Sequence, residues 1–181
     1  MREAYDTVIA KIDDVGNLYD LLENTFIKGD SKTDYALENL SETISKIEKT
    51  LIKDLQKNKI RILYENMNFV RALPKGVMLH VFYNLITNSK YWIDYRRKHS
   101  KLDYSYSSEE TMDYICIDSP QPGVIEISDT GTGVLPHMEH VLFGALQSGK
   151  EANKGRGMGL YIVKRFLNSF EADIILSEER N

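Results

Sequence analysis

The chain has 181 residues, 42% hydrophobic and 28% charged, ordinary values for a soluble globular protein of one domain plus an appendage. A net charge of −4 gives no sign of nucleic-acid binding, no apolar run is long enough to span a bilayer, and Arg2, Glu3 and Asp6 open the chain without a signal-peptide pattern. The single cysteine, Cys116, excludes an internal disulfide, reads as buried and inert within Tyr114-Ile115-Cys116-Ile117, and suits an intracellular, cytoplasmic setting.

Residues 5–27 carry apolar side chains at Val8, Ile12, Val15, Tyr19, Leu22 and Phe26, a helical stripe near the heptad period. Gly29 to Asp34 interrupt it, and Ser31 with Asp34 three residues on resembles a capping box. A second stripe is expected at Leu37, Leu40, Ile44, Ile47, Leu51 and Leu55. The first third therefore reads as two amphipathic helices, packed either within one monomer or with the first helix given to a dimer.

Lys59 to Tyr64 alternates like a strand, and Pro74-Lys75-Gly76 marks a turn. A helix follows from Val77, with Val81, Leu85 and Ile86 apolar and Asn84 and Asn88 a turn apart on one face. Asparagine is a mediocre helix former, so the pair is either a solvated face or a source of amide oxygens, which are hard ligands for Mg²⁺. His80 continues that face as a surface or rim residue. Residues 94–112, rich in charge and tyrosine, are expected to form a surface loop or partly disordered insertion.

Residues 113–117 read as a strand, Ser119 to Gly123 as a turn, and Val124 to Ser128 as a half-buried strand ending at Asp129. Asp129-Thr130-Gly131-Thr132-Gly133 has the spacing D-x-G-x-G. A carboxylate at a strand end can accept from an amino group, and the glycines let backbone approach a flat ligand. Gly144 to Lys154 is polar and long enough to act as a lid. Gly155-Arg156-Gly157-Met158-Gly159-Leu160 then opens a helix with Leu160, Val163 and Leu167 on one face, an arrangement suited to an anion. Two such loops suggest a nucleotide held at both ends, although each alone also fits a plain turn. The spacing is neither that of a dinucleotide-binding fingerprint nor of a P-loop. Ala172 to Leu176 reads as a last strand, and no internal repeat is present.

An asparagine-bearing helix, D-x-G-x-G, a lid and G-x-G-x-G-L, in that order, resembles the GHKL superfamily: gyrase B, the large ATP-dependent heat-shock chaperone, histidine kinases and MutL. The likeness covers roughly residues 36–180. Asn84 to Ser89 look like the N box, Asp129 to Gly133 like the first glycine box, Phe143 like the F-box aromatic and Gly155 to Leu160 like the second glycine box. The resemblance implies an α+β fold, a two-layer α/β sandwich of the Bergerat type with an N-terminal helical segment. It divides the chain into a helix and linker at 1–34, which would belong to a dimerisation hairpin, and an ATP-binding domain at 35–181. It implies ATP and Mg²⁺ as ligands. Asp129, with Gly131 and Gly133, would receive adenine, and Asn88 would hold the metal. Asn84 and Lys150 would serve the chemistry near the phosphates, with Phe143 beside them. The backbone of Gly155, Arg156, Gly157, Met158, Gly159 and Leu160 would meet the phosphates.

Within the superfamily the likeness is to histidine-kinase catalytic domains. Hydrolytic branches carry a glutamate one turn before the metal asparagine, and here that place holds Asn84, which cannot accept a proton at neutral pH. The order helix, polar link, helix, strand, N box also resembles the end of a dimerisation hairpin entering a kinase domain. Three features depart from the family: no histidine precedes His80, no strand follows the segment around Ile174, and Asn88 runs into Ser89-Lys90-Tyr91-Trp92. The expected function is γ-phosphoryl transfer from ATP to a histidine on another segment or chain, and the alternative is an ATP-gated switch or chaperone-like ATPase.

Overall fold

The computed structural model describes residues 35–64, 70–74, 76–100, 112–150 and 157–177. The stripe from Val8 to Phe26, its dimer expectation, the Ser31–Asp34 cap, Gly155 and Arg156 lie outside the described residues.

Strand β1 (Tyr35–Asn39) pairs antiparallel with β3 (Val70–Pro74), Leu37 facing Ala72 in the register. Asn39 ends β1 and caps helix α1 (Leu40–Lys57), its side chain accepting from the Glu42 N–H at 3.3 Å. The buried stripe of α1 is Leu40, Ile44, Ile47 and Leu55. Leu37, expected at the head of that stripe, is instead a strand residue and 75% exposed. The helix cannot begin before its cap, and strand pairing has taken the five residues ahead of it.

Strand β2 (Ile60–Tyr64) alternates as expected, Ile60 and Ile62 buried and Arg61 and Leu63 exposed. It pairs in parallel with β4 (Asp113–Asp118), and β4 pairs antiparallel with β5 (Glu126–Asp129). The three-stranded order is β2-β4-β5. A parallel pair requires a crossover, and helix α2 (Val77–Ser100) lies on it. The Gly76 N–H donates to Glu38 Oε1 at 2.6 Å, fixing the start of α2 to β1.

Helices α1, α2 and α3 (Gly159–Ser169) form one layer over the sheet. The core joins Leu40, Ile44 and Ile47 of α1, Val77, Val81, Phe82, Ile86 and Ile93 of α2, Ile115 and Ile117 of β4, and Val163 of α3. Burial alternates along β4, so Asp113, Ile115 and Ile117 face the helices and Tyr114, Cys116 and Asp118 the other side. This is the expected α+β two-layer sandwich.

Three expectations are corrected. Residues 94–100 are helical: Lys90 and Asp94 pair at 3.5 Å across one turn, Tyr95 stacks on His99 at 3.9 Å, and basic Arg97, Lys98 and His99 complement the helix C-terminus. Residues 101–111 lie outside the described residues. Ala172 to Leu176 is irregular rather than a strand, because no described strand pairs with it; Ile174 packs on the core while Ile175 is 79% exposed. Cys116 is only half-buried, since it sits on the face of β4 turned away from the helices. Among the described residues no helix is long and apolar enough to cross a membrane.

Candidate functional site

The first wall is the end of β5. The Gly131 N–H donates to Asp129 Oδ1 at 2.8 Å, and Oδ2 has no partner among the described residues. A Cβ on Gly131 would stand 2.6 Å from that Oδ1 and 3.1 Å from the Cβ of Trp92. Only glycine lets the loop lie this close to both the carboxylate and α2. A cleft of about 300 Å³ opens beside the loop, lined by Arg96, Tyr114, Cys116 and the run from Ser128 to Gly131.

The second wall is α2. Asn84 Nδ2 donates to the His80 carbonyl at 2.9 Å, which turns its oxygen toward α3. A Cβ on Gly159 would lie 2.9 Å from that oxygen. Asn88, one turn on, is half-buried, and its amide has no hydrogen-bond partner among the described residues. His80 is half-buried at the rim, its ring 6.1 Å from that of Phe166. Among the described residues no group of three or more His, Cys, Asp or Glu could cage a metal. One amide oxygen suits Mg²⁺ carried in with phosphates and waters, since that ion keeps most of its own shell.

The third wall is the segment before α3. A Cβ on Gly149 would stand 3.3 Å from the Trp92 ring, so this segment rests on the indole. Lys150 Nζ lies 4.5 Å over the ring of Tyr91, and burial pushes its amine below the ordinary 10.5. Gly157 has φ +65°, and a Cβ there would come within 2.6 Å of the Gln147 backbone. Helix α3 then starts at Gly159 with Met158 as an N-cap that makes no side-chain bond, so its first N–H groups remain for an anion. Met158 and Leu160 are half-buried at this start, and the Phe143 ring sits 5.3 Å from Lys164 Nζ on the same helix.

The structure thus brings Asn84 to Gly159, and Gly131 and Gly149 to a common aromatic. That aromatic, Trp92, is the residue sequence reasoning missed. The signal was its spacing: His80, Asn84, Asn88 and Trp92 follow one another at four-residue steps and share a face of α2. The run through Tyr91-Trp92 looked only like a departure from the family.

The family described as histidine kinase-, DNA gyrase B-, and HSP90-like ATPase matches residues 76–181. The catalytic domain of histidine kinase ThkA, nucleotide free, aligns with a TM-score of 0.56 at 16% identity over 75% of this chain and 80% of its own. Histidine kinase AdeS of Acinetobacter baumannii aligns with a TM-score of 0.58 at 14% identity over 91% of this chain and 72% of its own. Full-length ShkA in complex with AMPPNP aligns with a TM-score of 0.57 at 16% identity over 93% of this chain and 34% of its own. Among curated proteins none matches this chain. At such identities the solved structures speak for the fold, while the family match spans more than half of the chain. Sequence order, fold and family match agree, and the chain belongs to the histidine kinase-, DNA gyrase B- and HSP90-like ATPases.

Proposed function

We propose that residues 35–181 bind Mg-ATP and pass its γ-phosphoryl to a histidine outside this chain, with residues 1–34 as helix and linker, part of a dimerisation hairpin. Asp129 Oδ2 accepts from the purine amino group, and Gly131 and Gly133 give the ring room. Asn88 gives one oxygen to Mg²⁺. Lys150, Phe143 and the segment from Gly155 through Arg156, Gly157, Met158 and Gly159 to Leu160 surround the phosphates.

The observation that carries transfer over hydrolysis is Asn84. Its Nδ2 is held by the His80 carbonyl and its oxygen faces the start of α3. An amide there can orient a phosphate or its metal, but cannot take a proton from water. The chain's four histidines are His80, His99, His137 and His140. None lies on the leading helical stripe, so the acceptor is sought elsewhere.

Calorimetry with Mg-ATP and Mg-GTP on the wild type and on Asp129→Asn tests the reading. A hydrogen bond to a charged acceptor is worth about 1.5–3 kcal/mol, so the variant should bind ATP at least tenfold more weakly. GTP carries a carbonyl where ATP carries the amino group and should bind the wild type poorly. Equal affinities for the two nucleotides would remove the adenine assignment.

A further inference from the structure

Asp113 and Thr130 join the two walls of the site. Asp113 opens β4 and is 3% exposed. Its Oδ2 accepts from Arg97 Nε at 2.5 Å, and its Oδ1 accepts from Arg96 Nη2 and from the Thr130 hydroxyl, the latter at 2.6 Å. Both arginines belong to the end of α2, the helix that carries Asn84 and Asn88. Arg97 also donates to the Asn58 and Lys59 carbonyls, so the end of α2 is tied to the entry of β2 as well.

Thr130 follows Asp129. Its hydroxyl gives its hydrogen to Asp113 and accepts the Tyr114 N–H at 3.2 Å, while its own N–H donates to the Tyr114 carbonyl at 3.2 Å. The hydroxyl oxygen stands in for the backbone carbonyl that a continuing ladder would supply. Strand β4 therefore stays satisfied at the point where the chain leaves the sheet for Gly131. The hydroxyl thus both donates and accepts, and the two bonds together fix the orientation of Thr130. Asp129 is different: its carboxylate is exposed and accepts only a local bond from Gly131 among the described residues. Its place relative to α2 is set by its neighbour. A buried carboxylate between two guanidiniums carries a large desolvation cost that an apolar residue would avoid, so the network calls for a role beyond stability.

We infer that Asp113 and Thr130 are positioning residues for purine selection, holding Asp129 at a fixed distance from α2 so that Oδ2 meets the adenine amino group. The inference rests on the adenine reading of Asp129 proposed above. Loss of the Thr130 hydroxyl should loosen the turn and blur the choice of ATP over GTP before it unfolds the domain.

The test uses the full chain as wild type, Thr130→Val, Thr130→Ser, Asp129→Asn and the Asp129→Asn/Thr130→Val double variant, with calorimetry on Mg-ATP and Mg-GTP. Thr130→Val should bind ATP about three- to tenfold more weakly, a smaller loss than in Asp129→Asn because the adenine bond is misaligned rather than removed, with GTP unchanged. Thr130→Ser should restore wild-type affinity. In the Asp129→Asn background Thr130→Val should add nothing, because the two act through one group. A Thr130→Val loss equal for both nucleotides and additive with Asp129→Asn would mean a structural tie only and would overturn the inference. Wild-type selectivity in Thr130→Val, with Asp129→Asn impaired, would overturn the positioning role and leave the adenine reading standing. An unimpaired Asp129→Asn would overturn both. If Thr130→Val does not fold, Thr130→Ala, which leaves the Asp113–arginine cluster intact, supplies the same comparison.

Discussion

The side-chain oxygen of Asn84 lies 2.9 Å from where a methyl group on Gly159 would stand. The first turn of α3 and the asparagine face of α2 meet there without room for one more carbon. Asn84 cannot swing clear without giving up its 2.9 Å bond to the His80 carbonyl. Overpacking of this kind costs about 1–3 kcal/mol. Gly159→Ala should therefore lower the thermal midpoint by about 2–8 °C and, by displacing Asn84 or the first turn of α3, weaken Mg-ATP binding. Calorimetry and a melting curve on the same preparation check both halves.

Lys150 makes the site sensitive to alkaline pH. Burial disfavours its ammonium, so the folded amine titrates below 10.5. Between that lowered value and 10.5 the unfolded chain holds more protons, and this group's contribution to stability rises with pH; below the window its cost is constant. A triphosphate favours the ammonium instead. ATP affinity should fall as pH rises through the lowered value, and Lys150→Met should bind more weakly at neutral pH with a flat profile above it. Affinity measured from neutral pH into the alkaline range, in both proteins, decides this.

Metal dependence should reside in Asn88. Asn88→Ala is expected to weaken ATP binding in the presence of Mg²⁺ and to leave metal-free ADP binding unchanged. Titrations with and without a chelator separate the two. An Asn88→Ala protein with wild-type Mg²⁺ dependence would make this residue a plain half-buried helix position.

Much of this site could be read from the residues because its parts are local. Alternation marked β2 and β5, an apolar run marked β4, and helical spacing marked α2 and α3. Strands β1 and β3 escaped because each is defined by the other, more than thirty residues away in sequence. Leu37 and Leu40 also happen to fit the helical step that continues through Ile44, so periodicity favoured the wrong element. The end of α2 was hidden by its charge: Arg96 and Arg97 look like loop residues until Asp113 receives them. The apolar run at Ile174 failed for the opposite reason, since a strand-like pattern makes no strand unless it pairs with another, and among the described residues it pairs with none. Trp92 was visible in spacing alone, yet its contacts with Gly131 and Gly149 arise only when three distant segments converge.

Hydrolysis by this chain should be slow. A positioned base contributes about 10²–10⁴-fold, and Asn84 supplies none. Incubation with γ-labelled ATP is expected to yield little free phosphate and no stable label on His80, His99, His137 or His140. Label on any of the four would refute transfer to an outside acceptor, and brisk phosphate release would point to a base elsewhere in the site.

Asp113 should also be costly to remove outright. Asp113→Ala leaves two arginines converging on an empty, largely buried place, and loss of one partner of such a cluster costs about 3–5 kcal/mol. Denaturant unfolding should show a lowered midpoint, with the slope unchanged.

Trp92 is the chain's one tryptophan; Gly131 lies against its Cβ and backbone, and Gly149 against its indole ring. Tyr91 and Tyr95 meet it edge-on with ring centroids at 5.1 and 5.4 Å. All indole fluorescence therefore originates at a single point between the two glycine-bearing segments, fed by tyrosine donors at contact range. If nucleotide binding shifts Gly149 against the ring, emission colour and quenching should change together. Any movement of Gly149 off the ring would be readable on a stopped-flow timescale without an attached dye.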